Sequence, residues 1–545
     1  MAQNGLSRLF DSGQGTCIYS ECPIYHDLKV AAEKVPNHRA LYYLGEEMTY
    51  QDLYEKALSF ASHLIKIGIK KGDRVMIMLP NCLEAVISYY GTLLSGAIVV
   101  MVNPLSTAYE LSYLARDSRA KLIVCASQTI KVAHLIFKKT KLTFIIAVDI
   151  PFLKRNTQTA KFDIHQARRR GILFHFNQCV RTKRPFKPPI VNVHEDIALI
   201  QYTGGTEGRM KGVMLTHFNL MANAIQSQYW LTNQNESHEK MLCVCPFFHV
   251  YGLSVGIHVA VRCHFEMIIL PKFQIEEVVR IIQTMRPTVF PGVPTMFKAL
   301  VDYAKHHPVD YSSLKLCISG SSPLSASTLL AFESLSKGCL IQGYGLSEAS
   351  PITHCQSLEN RNVGIGTPYP DTKCRIISLD TGEDVNQGEV GELLVKGPQV
   401  MKGYWNQENL TQRTIVKGWL HTGDLAYQTK EGNYILVDRI KDVIIASGFN
   451  IYPSEIEFTL AKHPDIEEAC VVGIPDEYRG ETVKAYLVLK RNAIFNPADY
   501  DHHCRKFLSS YKVPCQYEKI DELPKSHLGK VLKRYLKVKN VIENR

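Results

Sequence analysis

The chain is short of several things, and each shortage removes a class of function. Met1 to Tyr19 has no basic segment followed by an apolar core, so no secretory leader is expected. One uncharged run, Ala85 to Val102, approaches the length that spans a bilayer. Ser88, Gly91, Thr92, Ser95 and Gly96 dilute it, and no basic cluster flanks either end. It reads as a buried helix ending at Gly96, then a strand Ala97 to Val102. The 15 cysteines are scattered and odd in number, and only Cys243 and Cys245 sit close together. No second pair stands at metal-ligand spacing, which argues against a zinc module or a disulfide framework. A reduced, cytoplasmic setting is expected. Ribonucleoprotein aromatics and paired Cys/His fingers are missing too, so nucleic acid is not an expected partner.

Acidic residues are scarce in one region. Between Lys131 and Lys187 only Asp149 and Asp163 oppose Lys138, Lys139, Lys141, Arg168, Arg169, Arg170, Arg181, Lys183 and Arg184, among others. That stretch holds essentially the whole net charge of +11. It suits either an anionic surface such as the inner face of a membrane or a solvated connector.

At 545 residues the chain exceeds one ordinary core, and two to four domains are expected. Hydrophobic content of 46% and charged content of 21% are those of a globular protein. Thr49-Tyr-Gln-Asp52 caps a helix whose apolar positions Leu53, Ala57, Phe60, Ala61, Leu64 and Ile65 recur at helical spacing, with Gly68 closing it. Asp73 to Leu79 then reads as a strand, and Asn81 as the start of the next helix. The alternation continues through Leu122–Cys125 and Phe144–Val148, which implies a parallel sheet covered by helices.

Gln201 to Asn219 is the chain's most informative stretch. Gly204, Gly205, Gly208 and Gly212 let the backbone turn tightly and bring its N–H groups toward a ligand. Thr203 and Thr206 add hydroxyls, and Lys211 adds a positive charge. The spacing is not the Walker pattern. A polyphosphate cradle and a Gly-rich surface turn both remain open at this point. A long helix is expected from Thr216 to about Trp230.

Further strands end in chemically suggestive residues. Leu242 to Tyr251 ends in an aromatic cluster around His249, which is either a packed core histidine or one lining a crevice at the carboxyl end of a strand. Glu266–Leu270, Val289–Phe290 and Leu316–Ser319 follow, the last running into Gly320. Cys339–Gln342 ends in Gly343-Tyr344-Gly345-Leu346-Ser347-Glu348, which brings a ring, a hydroxyl and a carboxylate together. The ring could stack on a base, and the carboxylate could hold Mg²⁺. Beyond Gly364 short strands at close spacing suggest a small β-barrel or sheet: Cys374–Ile377, Glu392–Lys396 and Tyr434–Val437. Asp424 lies between them, and Asp438-Arg439-Ile-Lys441-Asp442 reads as a linker to a small final domain. Near its end Lys530 follows Gly529 on a turn, where an ordinary solvated charge is the usual explanation.

Together and in this order these stretches resemble the adenylate-forming superfamily of acyl-CoA synthetases, adenylation domains and luciferases, over roughly Leu28 to Leu536. Thr203-Gly-Gly-Thr206, Pro246-Phe-Phe-His-Val-Tyr-Gly252 and Val400-Met-Lys-Gly-Tyr-Trp-Asn406 are similar to bacterial long- and medium-chain fatty acid–CoA ligases. The resemblance implies an α/β fold: a large N-terminal region (1–438) of two α/β subdomains plus a β-barrel, and a small mobile α+β C-terminal domain (439–545). It also implies roles. Thr203, Gly204, Gly205, Thr206, Gly208 and Lys211 would hold the ATP phosphates. Gly320, Gly343, Tyr344 and Ser347 would frame the nucleotide, and Glu348 would bind Mg²⁺. Asp424 and Arg439 would take the ribose hydroxyls. Lys530 would contact the carboxylate and α-phosphate, and His249 would gate the acyl site. Lys441 would be a hinge, and Gly448 would lie where the pantetheine of coenzyme A passes. Acyl-pocket depth would depend on Gln226 to Trp230, Leu253 and Gln342.

The implied reaction joins a fatty acid, ATP and CoA into acyl-CoA with release of AMP and pyrophosphate. Two departures stand out: Glu207 occupies a position where the family's loop has Thr or Ser, and Met210 replaces its proline. A carboxylate beside a triphosphate is repelled unless it points away or meets Mg²⁺. Two alternatives are therefore kept: transfer to a carrier-protein thiol, and a weakly catalytic acyl- or nucleotide-binding homologue. A homodimer is admitted but carried by no motif.

Overall fold

The computed structural model describes residues 17–137, 139–150, 171–181, 186–203, 210–231, 239–357, 364–446, 449–476, 478–526 and 529–537. Thr206, Gly204, Gly205, Glu207 and Gly208 of the glycine loop lie outside the described residues, as do Gly448, Arg168, Arg169, Arg170, Lys138, Lys183 and Arg184. The chain forms two compact units. The first comprises Met1–Asn362, Thr367–Lys373 and Lys396–Leu420, and the second Val363–Gly366, Cys374–Val395 and His421–Arg545.

Fully apolar strands need cover on both faces, so they pair in parallel under helices. The first unit has two such sheets among its described residues. One is nine-stranded, in the order Thr367–Pro368, Ile352–Cys355, Cys339–Gly345, Leu316–Ser319, Val289–Gly292, Lys240–Cys243, Glu266–Ile269, Arg39–Tyr43, Glu46–Thr49. Its six strands from Cys339–Gly345 to Arg39–Tyr43 run parallel. The other is eight-stranded: Gly403–Tyr404, Lys211–Thr216, Ile197–Thr203, Ile98–Met101, Arg74–Met78, Leu122–Ala126, Phe144–Val148, Leu173–His175. Its last six are parallel. Ile98–Met101 and Leu122–Ala126 are buried at every position.

The uncharged run resolves into helix Leu83–Leu94 and strand Ile98–Met101, with Gly96 at φ +77° between them. No helix among the described residues is long and apolar enough to cross a membrane. Thr49 and Asp52 form the expected capping box on helix Tyr50–Lys66.

One expectation is corrected. The next helix starts at Leu83 rather than Asn81, with Cys82 at its N-cap and no side-chain cap bond. Asn81 instead donates to the Cys245 carbonyl at 3.0 Å and accepts from the Phe247 N–H at 2.8 Å, tying the ends of two strands together. The helix expected from Thr216 forms, and a strand that the sequence pattern does not announce precedes it. Lys211–Thr216 returns as a strand antiparallel to Ile197–Thr203, with Thr203 opposite Lys211. Helix His217–Leu231 follows, and Thr216 and Asn219 exchange hydrogen bonds at its start.

Two smaller sheets follow among the described residues. One runs in the order Lys373–Ile377, Gly391–Lys396, Trp419–Gln428, Ile415–Val416, and Tyr434–Arg439 pairs with Trp419–Gln428. The other, in the second unit, runs Phe449–Ile451, Ile444–Ala446, Gly480–Leu489, Ile466–Asp476, and Gln516–Lys519 pairs with Gly480–Leu489. Helices Pro453–Leu460 and Pro497–Phe507 cover it, burying Ile456, Leu460, Tyr500 and Cys504 against Ile444, Val471 and Val483.

Candidate active site

In the nine-stranded sheet the carboxyl ends of Lys240–Cys243, Val289–Gly292, Leu316–Ser319 and Cys339–Gly345 lie side by side. Ligands bind where such strand ends face a crevice. His249 caps the short helix Val250–Leu253: its Nδ1 accepts the Tyr251 N–H at 3.2 Å, which places the ring proton on Nε2. Tyr251 is buried and donates to the carbonyls of Gly292 (3.2 Å) and Ile318 (3.0 Å). Burial holds its phenol well above the ordinary range, so it stays a donor. Its ring lies against Gly320, where a Cβ would come within 3.1 Å of the ring. The structure therefore joins the His249 segment to Gly320. A π-helix, Ser254–Val259, continues from there, and its Ser254 hydroxyl donates to the Ser350 carbonyl at 2.8 Å, beside Glu348.

The two sheets of the first unit meet at these strand ends. Gln201, two residues before Thr203, donates to the Phe248 carbonyl at 3.1 Å. Tyr344, paired with His354 across antiparallel strands, packs its ring 5.7 Å from that histidine. Burial drops the His354 pKa to about 3, so it is neutral. Gly343 lies opposite Cys355 in the same pairing, and Ser347 opens the single turn Ser347–Ala349 that carries Glu348. The expected acyl-pocket residues are also linked: Trp230 donates to the Gln356 carbonyl at 3.3 Å, and the Gln356 side chain accepts the Gln342 N–H at 2.9 Å. Leu253 is fully buried, and Gln226 donates to the Pro370 carbonyl at 2.6 Å.

Glu348 accepts a hydrogen bond from the Tyr404 hydroxyl on Oε1 at 2.8 Å. Among the described residues its Oε2 accepts no side-chain hydrogen bond. Nor do those residues include a cluster of three or more His, Cys, Asp or Glu able to cage a metal. One carboxylate, held through Oε1, fits Mg²⁺ of the kind completed by phosphate oxygens and water. Tyr404 lies within the Val400–Asn406 motif, whose residue types alone give it no role at the site. Lys211 sits 5.6 Å from the centre of its ring.

The second unit collects the remaining candidates. Asp424 and Arg439 are opposite each other on antiparallel strands, with Arg439 Nε 3.1 Å from Asp424 Oδ1. Glu392 braces the approach to Asp424: its carboxylate bonds His421 Nδ1 at 2.9 Å and accepts the Gly423 N–H at 3.1 Å. Lys441 lies in the single turn Ile440–Asp442 after strand Tyr434–Arg439; burial, then repulsion from Arg439, lowers its pKa. Lys530 is held on a turn in which Ser526 accepts its N–H through Oγ (3.2 Å) and donates to its carbonyl (2.8 Å). Burial is the largest influence on Lys530, and repulsion from Arg439 and Lys441 opposes attraction to Asp424 and Asp442. Its pKa falls to about 8. Lys530 is thus no solvated terminal lysine.

The sequence pattern of AMP-binding enzymes matches residues 28–405, and that of the AMP-binding enzyme C-terminal domain matches 455–530. The chain belongs to the AMP-binding enzyme family. It is 43% identical over 517 residues to the long-chain-fatty-acid–CoA ligase of Bacillus subtilis (strain 168), covering 93% of this chain and 92% of that protein. The corresponding ligase of Salmonella typhimurium is 35% identical over 526 residues, with 93% and 92% covered. Among solved structures, ATP-bound MatB from Rhodopseudomonas palustris matches with a TM-score of 0.84 at 27% identity, covering 96% of this chain and all of that one. The expected kinship with adenylate-forming enzymes holds, as does the expected α/β fold with a smaller C-terminal part.

Proposed function

We propose that this AMP-binding enzyme is a fatty acid–CoA ligase. It activates a medium- or long-chain fatty acid with ATP to acyl-AMP, then transfers the acyl group to CoA with release of AMP. The observation that carries this reading is Lys530: a terminal lysine is held in a partly buried cluster with Asp424, Arg439 and Lys441 rather than in solvent. Full-length likeness to long-chain fatty acid ligases supports the fatty acid as substrate.

The chemistry sets the roles. A carboxylate oxygen attacking the α-phosphorus meets a tetra-anionic triphosphate, so positive charge must be in place before charge develops. Lys211, with Thr203 and the loop Gly204, Gly205, Thr206 and Gly208, holds phosphate oxygens. Lys530 meets the carboxylate and α-phosphate. Asp424 and Arg439 take the ribose, and Gly320, Gly343, Tyr344 and Ser347 frame the base. Mg²⁺, held by Glu348, would supply charge neutralisation on the phosphates. His249 stands at the acyl side. Thioester formation needs a different constellation, and the region 439–545 supplies it by turning about Lys441, with Gly448 beside the pantetheine.

The stretch from Lys131 to Lys187 supports peripheral contact with anionic membrane, where fatty acid is stored. Helix Ile130–Phe137 carries Lys131 and an exposed Leu135 within it.

The deciding experiment measures fatty-acid-dependent pyrophosphate release and CoA-dependent AMP release across an acyl-length series. Both are expected, with a maximum among medium or long chains. Pyrophosphate release without turnover of free CoA would move the assignment to a carrier-protein ligase. Absence of both across short, medium, long and aryl acids would end it.

A further inference from the structure

Lys211 and Glu348 carry opposite charges in the same part of the first unit, yet the structure places no ion pair between them. What lies between is Tyr404. Its hydroxyl donates to Glu348 Oε1 at 2.8 Å, and Lys211 Nζ lies 5.6 Å from the centre of its ring. A direct lysine–carboxylate pair would neutralise both groups and compete with any phosphate or cation. The ring face offers the ammonium a weaker cation–π contact instead.

The backbone fixes Tyr404 firmly. Strand Gly403–Tyr404 pairs with Lys211–Thr216, with Tyr404 opposite Val213. On either side of it the Trp405 N–H donates to the Gly212 carbonyl at 2.7 Å and the Lys402 N–H to Met214 at 3.0 Å. Three residues before Tyr404, the Met401 N–H donates to the Glu348 carbonyl at 2.8 Å. The Tyr404 N–H is itself held by Thr411 Oγ1 at 2.8 Å. One short segment thus touches the return strand of the glycine loop and the Glu348 turn at once. Tyr404 is 5% exposed, and burial together with the adjacent carboxylate holds its phenol far above the ordinary range, so it remains a donor.

We propose that Tyr404 is a positioning residue that keeps Glu348 and Lys211 apart, clamping one carboxylate oxygen so that the other meets a divalent cation while the ammonium stays available to phosphate. This rests on the ATP-dependent reading above. It goes beyond that reading in giving the tyrosine a part that simple packing would not need.

Tyr404→Phe keeps the ring and removes the hydroxyl alone. The readout is Mn²⁺ binding in the presence of ATP, followed by electron paramagnetic resonance on the full chain, alongside metal-free ATP binding by calorimetry. The expected result is Mn²⁺ affinity reduced about fivefold to tenfold, metal-free ATP affinity within about twofold of the parent, and no further loss when Tyr404→Phe is added to Glu348→Gln. Unchanged Mn²⁺ affinity overturns the proposal, and so does equal weakening of Mn²⁺ and metal-free ATP binding, which marks a general packing role. If Tyr404→Phe folds poorly, Glu348→Gln alone decides: unchanged Mn²⁺ affinity there shows that the clamped carboxylate is no cation ligand and overturns the proposal. The binding readout needs no acyl substrate. Failure of the ligase reading, seen as absent pyrophosphate release by the parent protein, is therefore a separate result.

Discussion

Arg439 and Asp424 face each other across paired antiparallel strands, guanidinium Nε to carboxylate Oδ1 at 3.1 Å, with the carboxylate almost fully buried and the guanidinium half-exposed. The pair sits at the edge of the Lys530 environment, and Arg439 is the largest charge acting to depress that lysine. Replacing Arg439 by Ala should therefore do two things. It should raise the KM for ATP about tenfold, a loss of about 1.4 kcal/mol. It should also raise the pKa of Lys530, moving the alkaline limb of adenylation upward. A limb that stays in place in Arg439→Ala would refute the electrostatic link.

That limb is itself a prediction. The Lys530 pKa is lowered to about 8 from an ordinary value of 10.5. The lysine is charged below pH 8 and neutral above it. Adenylation, which uses its charge, should decline as pH rises through 8. Thioester formation from supplied acyl-adenylate should not follow the same curve. Lys530→Arg, which cannot deprotonate in this range, should remove the limb from whatever activity it retains. The measurement is a pH–rate profile of each half-reaction.

Lys530→Ala should slow adenylation by two orders of magnitude or more, in keeping with the loss of a preorganised charge at a transition state. Supplied acyl-adenylate should still react with CoA at a rate reduced much less. Equal loss in both half-reactions would contradict the use of two constellations.

Gly345 tests the local packing behind Glu348. A Cβ there would overlap the Pro351 carbonyl oxygen, so even alanine forces the backbone apart. Gly345→Ala should cost about 1–3 kcal/mol in stability, as overpacking does elsewhere. It should also weaken metal–nucleotide binding by shifting the Ser347–Ala349 turn. Chemical denaturation and Mn²⁺ titration would check the two effects.

For the basic stretch, co-sedimentation with vesicles is the measure. The intact protein should bind anionic but not neutral vesicles, and high salt should reverse it. Each basic side chain near the surface contributes about 1 kcal/mol, and the attraction fades within about 8 Å at physiological salt. Changing Arg168, Arg169 and Arg170 together to Gln should abolish binding. Unchanged binding would exclude that cluster as the anchor, and no binding to anionic vesicles at low salt would end the membrane reading.

Much of this protein was legible before any fold was known. The capping box at Thr49 and Asp52 and the helix–strand break at Gly96 depend on neighbours a few residues away, so local residue types determine them. The same holds for the residues that announce nucleotide chemistry, since glycines, hydroxyls and a lysine in one short loop state their purpose by composition. Asn81 shows where that reasoning stops. It has the side chain of a helix cap, but its bonds go to Cys245 and Phe247, across a sheet-to-sheet contact that no local pattern encodes.

The sequence by itself therefore determined the family, the alternation of strands and helices, and which residues bear charge or hydroxyls. The tertiary structure decided which of them act together. Lys211 opens a return strand only because Ile197–Thr203 is there to pair with it. Tyr404 reaches Glu348 across 56 positions of sequence because it adds an edge to that return strand. Lys530 looks like any terminal lysine until burial and the neighbouring Arg439 and Lys441 strip it of solvent and lower its proton affinity. Periodicity and composition act over one or two turns of chain, whereas charge partners and desolvation are set by strand order and packing, which only the folded chain possesses.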